Sequence, residues 1–420
     1  MAVNRHFTDQ IIFELLDIIQ CRSELEDSTR VLNSHVHIMF NKCLAECSNL
    51  DKHINNRSML RIDSILDYID DEINIGHWSD ISIELRRAFT LASFIKAFFH
   101  LECHKSNMEA EVLRETLKYV DRGLLMGAPF EINSDLLTKA ATILTKYIRK
   151  YFNMNNFFSN ANGEKKNEST QYEFLFGNIN ACEVDTSVLP SVQQFNNLYF
   201  MTQRPVKLQG CIDHWPAKKK WKDLEYLLQA GGDRTVPVEI GTQYVDENWS
   251  QKLMTIREFV EKYYFNNDKG DIGYLAQHNL FDQIPELRDD ICIPEYCSLS
   301  MDYDKSCDPD INCWFGPAGT VSSLHYDPKN NLLVQVYGIK QILLFPPQDT
   351  QHLYPFEGTM LSNTSQVDPI IPNLELYPNF VKSTMYKCLL KEGEMLFIPE
   401  KWWHHVVALE KSFSVSFWWQ

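Results

Sequence analysis

The spacing of apolar residues changes between the two halves of the chain, and this change limits the folds open to it. From Thr8 to about Tyr151, apolar residues recur at intervals of three and four, as in 136–148, which is the period of helices that bury one face. Later segments such as 332–337 and 395–398 are short β-branched and aromatic runs, which are typical of strands. A helical half followed by a strand-rich half predicts the α+β class.

The same patterns predict domain boundaries. We expect residues 1–152 to form an all-helical docking domain of about five or six helices, because no polar residues in this half are arranged for catalysis. Residues 153–185 open with a stretch rich in Asn, Ser and Lys, which predicts a flexible linker. Residues 186–420 predict a β-rich barrel or double-sheet domain, with a helical insertion at 256–264 and a tight hairpin at 337–339.

The composition argues against nucleic acids and membranes as partners. The 420 residues carry a net charge of −16 with no basic stripe, so basic peptides are more plausible partners than nucleic acid. We find no signal peptide and no apolar run near the ~18–20 residues of a membrane span. The 11 cysteines include no C-x-x-C pair, which favours free thiols in a reducing compartment. We therefore expect the protein in the nucleus, with the cytoplasm as a second location.

One short motif in the strand-rich half could begin a metal site. His325 and Asp327 are two residues apart, so on a strand they would present an imidazole and a carboxylate on the same side. A third ligand could come from His404 or His405, which lie beside a late strand. Two histidines and one carboxylate suit non-haem Fe(II), because they leave positions open for a cosubstrate and dioxygen. A lone H-x-D motif is weak evidence for a metal site, because such His and Asp residues are more often surface groups or hydrogen-bonded core groups.

Longer motifs around this site resemble a known family. These motifs are GYLAQHNLFDQIPEL at 273–287, INCWFGPAGTVSSLHYDP at 311–328, SNTSQVD at 362–368 and the terminal SFSVSFWW. They are similar to the jumonji-C (JmjC) family of Fe(II)- and 2-oxoglutarate-dependent oxygenases, and the resemblance spans about 188–420. It implies a cupin-like double-stranded β-helix, or jelly roll, for 186–420, with Fe(II) and 2-oxoglutarate as cofactors.

The resemblance also implies roles for individual residues. The catalytic iron ligands would be His325, Asp327 and His404. We prefer His404 to His405 because the family's ligand directly follows an aromatic pair, matched here by Trp402 and Trp403. The residues that would bind 2-oxoglutarate are Lys340, Tyr274, Ser322 and Asn331. Lys340 would face the distal carboxylate, since a buried anion requires a compensating charge; without the triad, it would read as a surface lysine in a hairpin.

A further set of residues would hold an arginine side chain of the substrate: Glu239, Tyr244, Trp249, Gln277 and Trp314. The chemistry suits a guanidinium, which pairs with a carboxylate as a planar fork and stacks on aromatic faces. We therefore expect a dioxygenase that hydroxylates arginine in protein substrates, with histones or chromatin-associated proteins among the candidates.

Three alternatives remain open at this stage. The same iron site could demethylate N-methyl-lysine in histones, although the chain has no cysteine-histidine zinc module of the kind that often accompanies that activity. Arginine-directed cleavage of histone tails ranks lowest, because the sequence shows no separate protease site. A non-catalytic JmjC scaffold is the alternative from another class, and the four polar groups retained at His325, Asp327, His404 and Lys340 argue against it.

Overall fold

The computed structural model describes most of the chain in two compact units. The described residues are 5–48, 54–76, 80–151, 181–241, 249–265, 272–301, 308–358 and 361–420. The first unit is drawn from Met1–Asn162 together with Gly231–Thr235, and the second from Gly163–Ala230 and Val236–Gln420. Most of the predicted linker lies outside the described residues, so the predicted domain boundaries stay predictions. No helix in the described ranges combines the length and apolarity needed to cross a bilayer.

Seven α-helices make up the described part of the first unit, rather than the five or six expected. They are α1 (Arg5–Asp17), α2 (Arg22–Asp27), α3 (Ser34–Cys47), α4 (Asn56–Ile73), α5 (Ile83–Cys103), α6 (Ala110–Met126) and α7 (Leu136–Tyr151). The expected number was too low because helices as short as the six-residue α2 show hardly more than one turn of periodicity. Asn33, Asn55 and Ser82 cap α3, α4 and α5 by accepting backbone N–H groups of the first turn.

Helix α5 forms the centre of the helical unit. All of its residues from 88 to 101 are buried, and it packs against α4 and α6. A helix that is apolar on every side belongs inside a bundle, whereas α4, α6 and α7 bury one face each. The buried imidazole of His100 forms a 2.9 Å hydrogen bond with the Thr116 hydroxyl, so it has a structural partner within the bundle.

Among the described residues, fourteen strands form two sheets, which belong almost entirely to the second unit. They are β1 (Cys182–Glu183), β2 (Asp185–Val188), β3 (Val206–Gln209), β4 (Thr235–Ile240), β5 (Ser250–Thr255), β6 (Gly273–His278), β7 (Asp310–Gly316), β8 (Val321–Tyr326), β9 (Asn330–Tyr337), β10 (Lys340–Phe345), β11 (Tyr386–Leu390), β12 (Met395–Ile398), β13 (Trp403–Ala408) and β14 (Ser412–Trp419). One sheet has the order β1-β11-β10-β13-β8, and the other has the order β2-β3-β12-β9-β14-β7-β6-β4-β5. From β7 onward the chain crosses between the sheets at almost every step, which is the double-stranded β-helix expected for this half.

Short helices fill the connections of this unit. They are α8 (Val192–Phe195), α9 (Ala217–Lys220), α10 (Leu224–Gly231), α11 (Ile256–Phe259), α12 (Leu280–Gln283) and α13 (Pro285–Arg288). The helical insertion predicted at 256–264 is present, since α11 continues into a π-helical turn at Val260–Tyr264. Overall, the helical region followed by a β-helix confirms the α+β class.

The tight hairpin predicted at 337–339 is wrong. Strand β9 pairs with β12 and β14, whereas β10 pairs with β11 and β13, so the turn at Gly338 carries the chain from one sheet to the other. Strands β9 and β10 are buried along their whole length, and such runs do not reveal which neighbour each one pairs with. The crossing makes Lys340, the first residue of β10, a buried residue that is only 1% exposed.

Candidate active site

Two histidines face each other across neighbouring strands of the smaller sheet. His325 on β8 is the direct partner of His404 on β13, and the two ring centroids are 4.3 Å apart. Directly opposed residues project to the same side of a sheet, so both imidazoles point into the same space. The pairing shifts register immediately after His404. Such bulges re-aim side chains and are frequent beside functional sites.

A carboxylate completes the group from the loop that follows β8. The Asp327 carboxylate lies 3.8 Å from Nε2 of His325 and 3.6 Å from Nε2 of His404. The ligand atoms of these three residues all lie within 4.8 Å of one another, and no other such group of three or more occurs among the described residues. Two imidazole nitrogens and a carboxylate are the donor set that non-haem Fe(II) takes, so the residues present fit that metal.

Backbone carbonyls fix the orientation of both imidazoles. Nδ1 of His325 donates to the carbonyl of Ser323 over 2.7 Å, and Nδ1 of His404 donates to the carbonyl of Trp402 over 3.0 Å. A proton held on Nδ1 leaves the lone pair of Nε2 available to a metal ion. Burial lowers the pKa of His404 to about 4, and the neighbouring His325 adds to the effect. The histidine is therefore neutral, the form that binds metals.

His405, the alternative to His404, is not part of this group. It is 3% exposed, and its Nδ1 has no hydrogen-bond partner in the described structure. On a strand, residues adjacent in sequence point to opposite faces, so His405 projects away from the triad. Burial lowers its pKa to about 4 as well, and the nearby Asp368 opposes the shift.

A small cavity opens beside the triad. The residues that line it are Tyr274, Trp314, Ser322, His325, Asp327, Asn331, Leu333, Lys340, Ile398, His404 and Val406. All four residues predicted for the cosubstrate are therefore in the lining. The ammonium of Lys340 donates to the hydroxyl of Tyr274 over 3.2 Å. Burial lowers the pKa of Lys340 to about 7, because an apolar site disfavours the charged form.

The polar groups of the cavity are incompletely paired, which fits an anionic ligand such as 2-oxoglutarate. Within the described residues, no carboxylate forms an ion pair with Lys340, and Oδ1 of the buried Asn331 has no hydrogen-bond partner. Burial raises the pKa of Tyr274 well above its usual range, so its hydroxyl keeps its proton and can donate. Buried polar groups in folded proteins are nearly always satisfied, so the Lys340 ammonium and the Asn331 side chain are groups with which the carboxylates of 2-oxoglutarate could pair.

The five residues predicted to hold an arginine side chain are not equally placed. Trp314 lines the cavity. Glu239 on β4 is the strand partner of Tyr274, so the side chains of Glu239 and Tyr274 project from the same face of the sheet. Burial raises the pKa of the Glu239 carboxyl group, and the nearby Trp249 opposes that rise. Gln277 is exposed and does not line the cavity; it lies at a break in the β6–β7 pairing with φ 47°. Tyr244 lies outside the described residues.

The apolar walls of the cavity are Leu333, Ile398 and Val406, and none of them was predicted as a site residue. The period of two along a strand could have found two of them. Leu333 is two residues after Asn331 on β9, and Val406 is two residues after His404 on β13. The carbonyls of Ser323 and Trp402 were also missed. No side-chain pattern marks them, because every residue carries a carbonyl.

The fold and the triad together define a metal-dependent oxygenase of the cupin type. A family described as a cupin-like domain matches residues 192–420. The chain is 37% identical to Lysine-specific demethylase 8 from Xenopus tropicalis over 400 residues, covering 84% of this chain and 87% of that protein. It is 40% identical to the Danio rerio protein of the same name over 362 residues, covering 86% and 87%. It is also 40% identical to Jumonji C domain-containing protein 5 from Drosophila melanogaster over 353 residues, covering 83% and 84%.

These likenesses extend over most of both chains. The chain therefore belongs to the JmjC family of cupin-like oxygenases, and its cofactors are Fe(II) and 2-oxoglutarate.

Proposed function

We propose that this oxygenase hydroxylates arginine side chains in protein substrates, with His325, Asp327 and His404 as iron ligands and Lys340 as the partner of 2-oxoglutarate. The observation that carries the arginine preference is the position of Glu239. Its carboxylate lies beside Tyr274, a residue of the cavity wall, and no basic side chain in the described ranges forms an ion pair with it.

Burial makes Glu239 a good receptor for a cation. Loss of water raises the pKa of this carboxyl group, because an apolar environment disfavours its charged form. A cationic ligand reverses that penalty, and a guanidinium does so with two parallel N–H donors. The half-buried position therefore favours a substrate that brings its own positive charge.

The aromatic side chains of the cavity wall suit the flat faces of a guanidinium. The ring of Trp314 lies 6.1 Å from that of Tyr274, and its indole N–H donates to the Ser416 hydroxyl over 2.9 Å. That hydrogen bond holds the indole plane in one orientation. Arginine stacks on such faces by cation–π interaction, whereas the compact ammonium of lysine has no planar face to offer.

The protein and its cofactors have separate roles in this reaction. Iron with 2-oxoglutarate and dioxygen supplies the oxidising power, so that one oxygen atom enters a substrate C–H bond and the other enters succinate, with loss of carbon dioxide. The protein orients the substrate carbon and excludes water with Leu333, Ile398 and Val406. The expected product is arginine with one added oxygen atom.

The test is succinate release with an arginine-containing peptide, combined with the mass of the peptide product. Glu239→Gln should raise the KM for the peptide by roughly 10–100-fold, the cost of one lost charge-assisted contact. Peptide-independent turnover of 2-oxoglutarate should persist in this variant. Glu375→Gln, an exposed change in the same unit, is the matched control. An unchanged KM in Glu239→Gln, or a product without added oxygen, would contradict the proposal.

Demethylation of N-methyl-lysine is the second candidate, supported by the names of the two vertebrate relatives, Lysine-specific demethylase 8. A carboxylate with aromatic neighbours also attracts methylated ammonium groups. Hydroxylation of an N-methyl carbon would release formaldehyde and remove the methyl group, whereas arginine hydroxylation keeps the added oxygen in the product. Formaldehyde release from a methylated lysine peptide, without retained oxygen, decides for demethylation. We place either activity in the nucleus, on chromatin-associated proteins including histones.

A further inference from the structure

The turn that leads from β12 to β13 is held in a conformation that its sequence does not favour. Lys401 has φ 64°, in the left-handed region that glycine adopts readily and other residues rarely do. Its side chain is exposed, and within the described part of the chain its one ion pair is with the adjacent Glu400. The conformation therefore requires support from the backbone contacts of the turn.

The first support comes from the loop that carries the metal-binding carboxylate. The backbone N–H of Lys401 donates to the carbonyl of Asp327 over 2.8 Å. The second support is a side chain, since Oδ1 of Asn330 accepts the backbone N–H of Glu400 over 3.2 Å. Asn330 is the first residue of β9 and is only 3% exposed, so bulk water offers little competition for this bond.

The far end of the turn leads directly to the second metal ligand. The indole N–H of Trp402 donates to the carbonyl of Gln203 over 2.9 Å, which anchors the turn on its other side. The carbonyl of Trp402 accepts the Nδ1 proton of His404. A shift of the turn would therefore move the group that sets the orientation of the His404 ring.

We propose that Asn330 is a positioning residue that joins the Asp327 loop to the 400–402 turn, so that the Asp327 and His404 ligands are assembled before the metal binds. The proposal rests on the iron-ligand assignment in the proposed function. Its physical basis is preorganisation. A ligand set held in place by the fold binds metal more tightly than one that must be ordered on binding, and groups that orient ligands typically contribute about 10–100-fold in affinity.

The test is the affinity of the full-length protein for Mn(II), a redox-inert substitute for iron, measured by electron paramagnetic resonance under anaerobic conditions. Asn330→Ala should weaken Mn(II) binding by about 10–100-fold. Asn330→Asp keeps an oxygen that can accept the Glu400 N–H and should stay within a few fold of the parent. At saturating metal, turnover of 2-oxoglutarate by Asn330→Ala should recover, because the defect lies in metal affinity.

A second pair of variants probes the turn without altering any group near the metal. Lys401→Gly should retain full Mn(II) affinity, because glycine adopts positive φ without strain, whereas the β-branched Lys401→Val should lose about tenfold. Parent-like affinity in both Asn330→Ala and Lys401→Val would overturn the proposal, as would equal losses in Asn330→Ala and Asn330→Asp. A parent protein that binds no Mn(II) would instead refute the ligand assignment itself.

Discussion

Buried charged side chains have charged partners in the helical unit, whereas the buried lysine in the cavity of the cupin-like unit has none among the described residues. In the helical unit, the buried Asp121 carboxylate pairs with Arg234 of the Gly231–Thr235 segment at 2.7 Å, and the buried Lys96 pairs with Asp63. In the cavity, Lys340 has only the neutral hydroxyl of Tyr274 as a hydrogen-bond partner in the described structure. The difference shows which unit is built for a ligand, since an unpaired buried charge costs stability unless a partner arrives.

The contrast depends on the cavity and not on the type of fold. Away from the cavity, the cupin-like unit also pairs its buried charges. The Asp290 carboxylate accepts hydrogen bonds from the Lys220 ammonium, the Trp221 indole and the Tyr226 hydroxyl. Among the described residues, Lys340 thus differs from these buried ions in having no charged partner, which is the arrangement expected of a group that pairs with a ligand.

The largest expected effect comes from removing a ligand of the triad while leaving its buried neighbour intact. His404→Ala should abolish 2-oxoglutarate turnover and weaken Mn(II) binding by on the order of 1000-fold or more, because groups that merely orient a ligand already contribute about 10–100-fold. Succinate release and Mn(II) titration measure the two effects. His405→Gln is the matched control at the adjacent buried position and should keep both properties. If His405→Gln failed and His404→Ala did not, the ligand assignment would be reversed.

Replacement of the unpaired cation should separate stability from function. Lys340→Met should weaken 2-oxoglutarate binding by about 10–100-fold through loss of a charge-assisted hydrogen bond. The same change should raise the free energy of unfolding of the ligand-free protein by about 1–3 kcal/mol, because it removes a buried polar group that lacks a charged partner. Calorimetry and thermal unfolding provide the measurements. If Lys340→Met were less stable than the parent, the Lys340 charge would already be stabilised by the protein. The contrast between paired charge in the helical unit and unpaired charge in the cavity would then be wrong.

The pH dependence of cosubstrate binding should follow the same lysine. Its pKa of about 7 means that Lys340 is protonated below pH 7 and largely neutral above it. Binding of an anion favours the protonated form, so affinity for 2-oxoglutarate should fall by up to about tenfold per pH unit above pH 7. Calorimetry of the Mn(II)-loaded protein in buffers of different ionisation enthalpy should detect uptake of nearly one proton at pH 8 and little at pH 6. In Lys340→Met this proton uptake should disappear.

Lys340 should also make the stability of the ligand-free protein depend on pH. Its folded pKa lies below the ordinary value of 10.5, so the unfolded chain binds more protons between pH 7 and 10.5. Stability of the ligand-free protein should therefore rise across this range as the penalty of burying the charge disappears. Below pH 7 the penalty is complete. Thermal unfolding of the parent and of Lys340→Met across this range would reveal the trend, because the difference between them should shrink as pH rises.

The sequence predicted the fold in outline because periodicity reports which face of an element is buried. It failed at the 337–339 turn because strands β9 and β10 are buried on both faces and carry no alternation that identifies their partners. It also undercounted the helices, since α2 is too short to repeat a pattern. Both failures arise where the local signal is short or uniform and the tertiary contacts decide the outcome.

The candidate site was predictable where function depends on side chains that are rare in a core. His325, Asp327 and Lys340 stand out in strand-rich sequence, and the structure brings them together around one cavity. The support for these residues was not predictable. The carbonyls that orient the imidazoles and the Asn330 side chain that holds the 400–402 turn act through hydrogen bonds that only the folded chain defines.

The smallest expected effect concerns a paired charge in the helical unit, the carboxylate of Glu24. The Glu24 carboxylate accepts backbone N–H groups of Glu131, Ile132 and Asn133 at 2.6, 2.8 and 3.0 Å. Burial alone would raise the pKa of Glu24, but these hydrogen bonds outweigh it and lower the pKa. Glu24→Gln should therefore destabilise this region by about 2 kcal/mol at pH 7, because the amide presents a donor to backbone donors. Hydrogen exchange of the 131–133 amides measures the loss, with the exposed Glu26→Gln as control.

The contribution of Glu24 to stability rises with pH, as that of Lys340 does, but it does so in acid, around and below the ordinary carboxyl pKa. Because the folded pKa of Glu24 is depressed, its stabilisation is complete above the ordinary value of 4.5 and is lost as pH falls through the folded pKa. The difference between Glu24→Gln and the parent should therefore shrink in acid. Binding of 2-oxoglutarate should be unchanged at pH 7. If Glu24→Gln weakened cosubstrate binding as strongly as Lys340→Met, charge in the helical unit would also serve the active site, and the division between paired structural charge and unpaired functional charge would not hold.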